Sequence, residues 1–492
     1  MSSFSQALKN YISTQGITIQ ALSKISGVER SFIQHMLTGK RVPSDMAVLE
    51  KIMQSMLLTP YQAQKLRHLY HMERIGQDVY KRHLLVKDLL ESIDSLGEPG
   101  TGSVKLNYQH DFSSFQQTSV LYGVNEINRM MKAVIEAEAS KDNGSIRLLI
   151  QPEHAFLIDL LLSVCGNSSL HIEHIFCLQK DIPVNSDNQC NLTLIKNVMP
   201  LLLTVSNYNA YISYDDLEVK YNETSIFPYF IMTTDKVIVL SYDMSYAALF
   251  LTGDMHQLYH TIYKNMFHAS SPLMERIYNP MEFYNKYSIL EAYPGVNGNL
   301  SPMTCCLFSQ PCFMFFASEE QYNKYVYDFP MKDDLVKLMS NRSKSYYQLL
   351  SDGHEYTSYF TLEGLEDFWT SGRITEVPNE FYSPLGKQDC MVLMDKLSEA
   401  IHNMPYHAIM INPDEFKPSS SLVISVGGES HIFFLYIHPQ KGTFHFVFHE
   451  KSIVYSIYSF LDYLKDSELV FSNKMSIEIL DRKIQEFKNE LK

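Results

Sequence analysis

The sequence is short of the features that most quickly assign a protein to a class. It holds one tryptophan in 492 residues, and its seven cysteines, at 165, 177, 190, 305, 306, 312 and 390, form no C-x-x-C pair. An odd, scattered set fits neither a disulfide framework nor a zinc ribbon, so the thiols are read as reduced and buried. No apolar run approaches the roughly 20 residues of a membrane-spanning helix. The longest lie around Phe156 to Val164 and Met199 to Val205. The N-terminus has no charged head followed by an apolar core, so no secretory signal is expected and the chain is expected in the cytoplasm, away from membrane. There is no G-x-S-x-G elbow for a serine nucleophile. Gly97 to Gly102 has the glycine spacing of a phosphate loop, but Ser103 stands where the lysine is required and no strand precedes it. His256 with His260, and His171 and His174 around Glu173, lack a third ligand at metal-site spacing. No catalytic residue, metal or cofactor is therefore expected.

What is present is length and an uneven charge. The chain carries a net charge of −14, which taken whole argues against a nucleic-acid partner. Residues 1–95, however, hold twelve Lys and Arg against eight Asp and Glu, a local +4, and the remainder carries −18. The basic excess is confined to the N-terminus. A length of this order favours two to four domains.

From Phe4 the apolar residues recur as Phe4, Ala7, Leu8, Tyr11 and Ile12, the stripe of a helix with one buried face. Gly16 stops it. Thr18 caps a second helix carrying Ala21, Leu22 and Ile25, and Gly27 supplies a sharp turn. A third helix follows from about Glu29, with Ile33, Met36 and Leu37 inward and Arg30, Ser31, Gln34 and His35 outward; Gly39 ends it and Lys40-Arg41 follow. Pro43 and Ser44 announce a fourth helix with Val48, Leu49, Ile52, Met53 and Met56 inward. Thr59-Pro60 opens a helical stretch that runs, with a break at Gly76, to about Ile93.

Three short helices with a tight turn before the third form the arrangement that lays its third helix in the DNA major groove. Arg pairs with guanine and Gln with adenine, while Lys40, Arg41 and the Thr18 hydroxyl suit phosphates. The stretch from Gly16-Ile17-Thr18 through Ser26-Gly27-Val28-Glu29-Arg30 to Gly39-Lys40-Arg41-Val42-Pro43-Ser44 resembles the lambda-repressor/Cro-like (XRE-type) family of bacterial regulators. The resemblance covers roughly residues 6–65. It implies an all-α helix-turn-helix domain that binds double-stranded operator DNA, usually as a homodimer. Carried over by position, Thr18 and Gln20 lie near the backbone, and Arg30, Ser31, Phe32, Gln34 and His35 face the groove. Glu29 departs from the small hydroxyl residue common at that position, and its charge opposes phosphate unless it caps the helix or accepts from a cytosine. The apolar phase after Pro43 is shifted by about one residue.

Residues 61–95 read as a helical connector or dimerisation segment. Residues 96–117, rich in Gly, Pro and Ser, read as a linker. Beyond it, residues 118–492 read as a mixed α/β region of two subdomains, a sensor or effector for a small molecule or protein. A helix at about 123–138 precedes strands at Ile146 to Ile150 and His171 to Phe176, with a helix at 154–164 between them. Two later stretches, around Asp235 to Asp254 and Glu429 to Glu450, each read as a hairpin, a further strand and a helix, and a weaker one spans Cys305 to Ser318. This suggests repeated strand–strand–helix units. The order of elements resembles the phospholipase-D-like fold seen as a sensor module in some regulators, but the catalytic His-x-Lys followed by Asp is missing. The nearest approach is His449-Glu450-Lys451, with Ser456 where Asp is required. The expected whole is a multidomain bacterial transcription regulator, a helix-turn-helix reader on an α/β body. Two other classes fit the same residues: an enzyme or defence effector targeted by its helix-turn-helix, and a protein-interaction scaffold.

Overall fold

The computed structural model describes residues 2–43, 45–96, 118–165, 169–180, 189–215, 226–251, 253–277, 281–282, 305–427, 431–438 and 442–491. The phosphate-loop spacing at Gly97 to Gly102 and all but the first residue of the 96–117 linker lie outside the described residues.

Six helices open the chain: α1 (Ser3–Thr14), α2 (Ile19–Ser26), α3 (Arg30–Thr38), α4 (Met46–Ser55), α5 (Pro60–Ile75) and α6 (Gln77–Leu96). Their ends have local chemical causes. Ser2, Thr18, Asp45 and Thr59 cap the starts of α1, α2, α4 and α5 by accepting a backbone N–H, and Gln62 completes a capping box with Thr59. Gly27 and Gly39 end α2 and α3 at φ of 70° and 74°, a left-handed conformation in which a Cβ is strained. Phe4, Leu8, Leu22, Ile33, Met36, Leu49, Ile52, Leu66 and Tyr70 close one core from α1 to α5. α4 begins at Met46, directly after its cap Asp45, and Val48 is only half-buried.

α5 and α6 part company at Gly76. The inward face of α5 belongs to the helical bundle, whereas Val86, Leu89, Leu90 and Ile93 of α6 belong to the core of the α/β body. The 61–95 stretch thus spends most of its apolar surface within the chain, while Tyr61 and Leu84 stay exposed.

The body contains β1 (Thr118–Tyr122), α7 (Val124–Ala139), β2 (Ser145–Leu149), α8 (Ala155–Cys165), β3 (His171–Gln179), α9 (Gln189–Thr204), β4 (Tyr208–Asp215), β5 (Tyr229–Met232), β6 (Lys236–Leu240), β7 (Tyr246–Leu251), α10 (Asp254–His268) and β8 (Ser271–Pro272). It continues with β9 (Met274–Ile277), β10 (Cys305–Leu307), α11 (Glu319–Tyr325), α12 (Lys332–Ser351), β11 (Tyr356–Phe360), α13 (Leu362–Ser371), α14 (Lys387–Asn403), β12 (Tyr406–Met410), β13 (Leu422–Gly427), β14 (His431–His438), β15 (Gly442–Phe448), α15 (Lys451–Leu464) and α16 (Asn473–Glu490).

The strands form two mixed sheets, ordered β1-β7-β6-β5-β2-β3-β4-β8 and β12-β11-β10-β13-β14-β15-β9. Reversing the second order reveals a repeat. In each sheet three strands run parallel (β2, β3, β4; β10, β11, β12), the first pairs antiparallel with a three-strand meander (β5–β7; β13–β15), and the earliest strand of the unit (β1; β9) closes the far edge antiparallel. A helix, α10 or α15, follows each meander. The repeat is therefore larger than the strand–strand–helix unit read from the sequence. At Cys305 to Ser318 that reading is corrected: only β10 forms, and Phe313, Phe315 and Phe316 in the loop after it are consumed by the core over α12 and α14.

Parallel strands need crossover helices, and these lie on one face of each sheet, with the post-meander helix on the other. The crossover face of the first sheet packs towards the α15 face of the second, with α6 between, in one apolar core. α11 to α14 and α16 cover the far face of the second sheet, and α10 that of the first. No helix among the described residues is long and apolar enough to cross a membrane.

Candidate nucleic-acid interface

α3 is held by short polar ties as well as by its apolar side. Ser5 of α1 donates to the Met36 carbonyl at 2.6 Å, and Ser23 of α2 donates to the Val28 carbonyl at 2.7 Å across the turn. The His35 carbonyl accepts from the amides of Lys40 and Arg41, at 2.9 and 3.4 Å, which folds the basic pair back against the end of the helix. At 1.5 Å per residue the nine residues of α3 span about 14 Å, a length that lies within a B-DNA major groove.

The polar residues of this region fall on one side. Arg30, Ser31 and Gln34 are exposed, with Lys40 and Arg41 beyond the C-terminal end and Thr18 and Gln20 at the start of α2. Thr18 is also a structural cap, its Oγ1 accepting from the Ala21 amide at 3.2 Å. Phe32 and His35 are half-buried, and Phe32 packs against the bundle core, so its ring is only partly available to a ligand. Glu29 holds the N-cap position of α3 without bonding an amide of the helix; its carboxylate accepts from Ser31 Oγ at 3.4 Å. Thr38, which the sequence reading passed over, lies on the same exposed arc, since 100° per residue sets it beside Gln34 and Ser31.

The bundle is joined to the body at α5 and α6. Arg67 grips Glu50 through two hydrogen bonds of 2.6 and 3.1 Å, fastening α5 to α4. His71, buried at the end of the same helix, reaches the body. Its Nε2 is 2.7 Å from a Glu468 oxygen and its Nδ1 2.9 Å from the Tyr463 hydroxyl. On α6, His83 bonds Ser459 at 2.9 Å and the Arg82 guanidinium lies over the Tyr455 ring. A cavity of about 450 Å³ opens at this junction between His68, Tyr80, Lys87, Glu415, Phe460 and Tyr463. A second, of about 570 Å³, lies at the carboxyl ends of β10 and β11, where Gln310, Thr361, Glu363, Asp367 and Arg373 contribute polar groups. The carboxyl ends of parallel strands are a usual place for a ligand in an α/β sheet.

Three of the other candidate residues have structural partners. His174 is fully buried between the Tyr208 hydroxyl and the Ile150 carbonyl, at 2.7 and 2.8 Å, and His256 bonds the Thr233 carbonyl. Glu450 caps α15 and accepts from Tyr214 at 2.9 Å.

No family model and no curated protein matches the chain. Among solved structures it is similar to TrmBL2, an archaeal chromatin protein with a novel mode of DNA binding (11% identity, TM-score 0.21, over 55% of this chain and 94% of that one). It is also similar to polyphosphate kinase from Porphyromonas gingivalis (9% identity, TM-score 0.23, over 75% and 56%) and to phosphatidylserine synthase from Haemophilus influenzae Rd KW20 (9% identity, TM-score 0.22, over 76% and 93%). Likenesses of this degree carry no argument about activity.

Proposed function

We propose that the chain is a sequence-specific DNA-binding transcription regulator of the lambda-repressor/Cro-like kind, working in the bacterial cytoplasm. α2 and α3 are its helix-turn-helix and the α/β body senses a small molecule or a partner. The observation that carries this reading is the exposed set Arg30, Ser31 and Gln34 on a short helix fixed between two left-handed glycines, with Lys40 and Arg41 at its end. Arg30 offers two donors to the O6 and N7 of guanine, and Gln34 offers one donor to N7 and one acceptor for the N6 amino group of adenine; Lys40, Arg41 and Thr18 suit phosphates. The −18 body repels the duplex and confines contact to the reader. An effector in the junction cavity would touch both bundle and body, and so would bind two arrangements of the reader with different affinity.

The test is selection of a duplex from a random library, followed by binding at fixed salt. Arg30→Ala and Gln34→Ala are expected to lower affinity for the selected site about 10- to 100-fold each and to relax preference at their own base positions. Unchanged affinity and preference in the double variant would remove the reading.

A further inference from the structure

The two halves of the body treat the same place in opposite ways. On the second sheet the helix after the meander, α15, is hemmed in. Arg82 of α6 lies over Tyr455, His83 bonds Ser459, and α9 lies alongside, its last carbonyls taken by Arg276 of the edge strand β9. On the first sheet the equivalent helix is α10 and the equivalent edge strand is β1, and there no element among the described residues covers the neighbouring place.

α10 packs over β5, β6 and β7. One of its flanks is turned towards β2 and β4, where Tyr263 lies against Arg147 and Phe267 meets the Tyr211 ring at 4.6 Å. At 100° per residue, Met255, Leu258 and Ile262 form a stripe about 130° away, on the flank turned towards β7 and β1. All three are exposed, Leu258 at 50%. The sheet beside them is bare as well: Val120 and Tyr122 of β1 are 55% and 65% exposed, and Tyr246, opposite Tyr122 on β7, is 53% exposed. A helix stripe and an uncovered pair of strands thus make an apolar groove. Two strands at about 4.8 Å spacing are as wide as one helix of about 10 Å diameter.

We infer that this groove receives α10 of a second copy of the chain. The two α10 helices lie antiparallel across a two-fold axis, each filling the place that α9 and α6 fill on the second sheet. Charge favours this occupant. An isologous contact sets a surface against itself, so any net charge on it repels. In a chain of net −14, α10 carries one Asp and one Lys, and β1 carries neither acid nor base. Contiguous exposed apolar side chains of this kind mark association surfaces, and helix pairs of this kind approach to about 8–10 Å.

Sedimentation equilibrium on the full chain is the test. Wild type is expected at twice 56.9 kDa at micromolar concentration. Leu258→Glu with Ile262→Glu is expected to weaken association at least 100-fold, because each partner then places two carboxylates in a dry contact, with far-UV circular dichroism unchanged. Tyr347→Glu, on the exposed face of α12, is the control and keeps the mass. Val120→Lys, across the groove from the stripe, gives an independent reading should the double variant fail to fold. A monomeric wild type, or a dimer that survives both Leu258→Glu with Ile262→Glu and Val120→Lys, would overturn the inference; the first result would leave the groove to a partner protein.

Discussion

His71 and Glu468 stand 397 positions apart in the chain and 2.7 Å apart in the fold. The imidazole belongs to the last turn of α5, a bundle helix; the carboxylate belongs to the loop between α15 and α16, in the body. With Tyr463 on the other ring nitrogen at 2.9 Å, both nitrogens of a fully buried histidine are occupied by the body. The bundle is therefore fastened by a polar tie and not by apolar contact alone.

Removing one partner leaves the other with a buried polar group and no match. His71→Ala is expected to cost about 1–3 kcal/mol, read as a lower thermal midpoint, and to speed proteolytic cleavage near Gly76, where α5 and α6 meet. Unchanged cleavage there would mean that apolar contacts alone fasten the bundle.

Acid acts on the same tie. Burial pushes the Glu468 carboxyl up, but the hydrogen bond and charge of His71 offset this and hold it below its usual value of 4.5. A carboxylate with a lowered pKa in the folded state contributes stability above its unfolded pKa and loses it as pH falls through the folded value. Release of the bundle is thus expected below about pH 4.5, and Glu468→Gln should flatten that part of the cleavage profile against pH.

Four buried histidines set a broader trend. Burial lowers His83, which also sits beside Arg82, to about 3, and lowers His174, His431 and His445 to about 4. The unfolded chain takes up these protons near pH 6.5 and the folded chain does not, so each site destabilises the fold as pH drops from 6.5 towards its folded value. At pH 5 the loss is on the order of 2 kcal/mol per site. Thermal midpoints measured from pH 7.5 to 5 should fall steadily. His174→Gln should reduce the slope; an unchanged slope would show that His174 titrates normally.

Arg276 clasps the halves of the body together. From β9 its guanidinium donates to the carbonyls of Leu202, Val205 and Ser206 at the end of α9, where the helix dipole is negative, and it lies over the Phe444 and Phe446 rings. Lysine keeps the charge but not the planar fork. Arg276→Lys is expected to cost about 1.5–3 kcal/mol in denaturant unfolding; a loss under 0.5 kcal/mol would mean that water replaces the clasp.

For DNA, Lys40→Ala with Arg41→Ala should weaken all duplexes about equally and lower the slope of log affinity against log salt by about 2, one per lost phosphate contact. A change in sequence preference would instead place these residues on base edges.

Much of the bundle could be read without the fold, because its signals are local. A 3.6-residue apolar period from Phe4 to Ile12, a hydroxyl at Thr18 and glycines at 27 and 39 act over a few residues, so helix ends and outward faces follow from them. The exposed positions of Arg30, Ser31 and Gln34 are of this kind. Phe32 is not: its half-burial depends on how α3 tilts against the core.

In the body the sequence by itself located part of the strands and helices, α7, β2, α8 and β3 among them, and showed that a meander-and-helix pattern recurs. Which strands pair, and in which direction, was decided by tertiary structure. A strand's pattern of burial does not name its neighbour, and β10 pairs with β11 and β13 across more than 40 and 100 residues. The tie between His71 and Glu468 and the open groove beside α10 belong to the same class. Both exist only because distant segments converge in one place and leave another bare, and no local propensity encodes either.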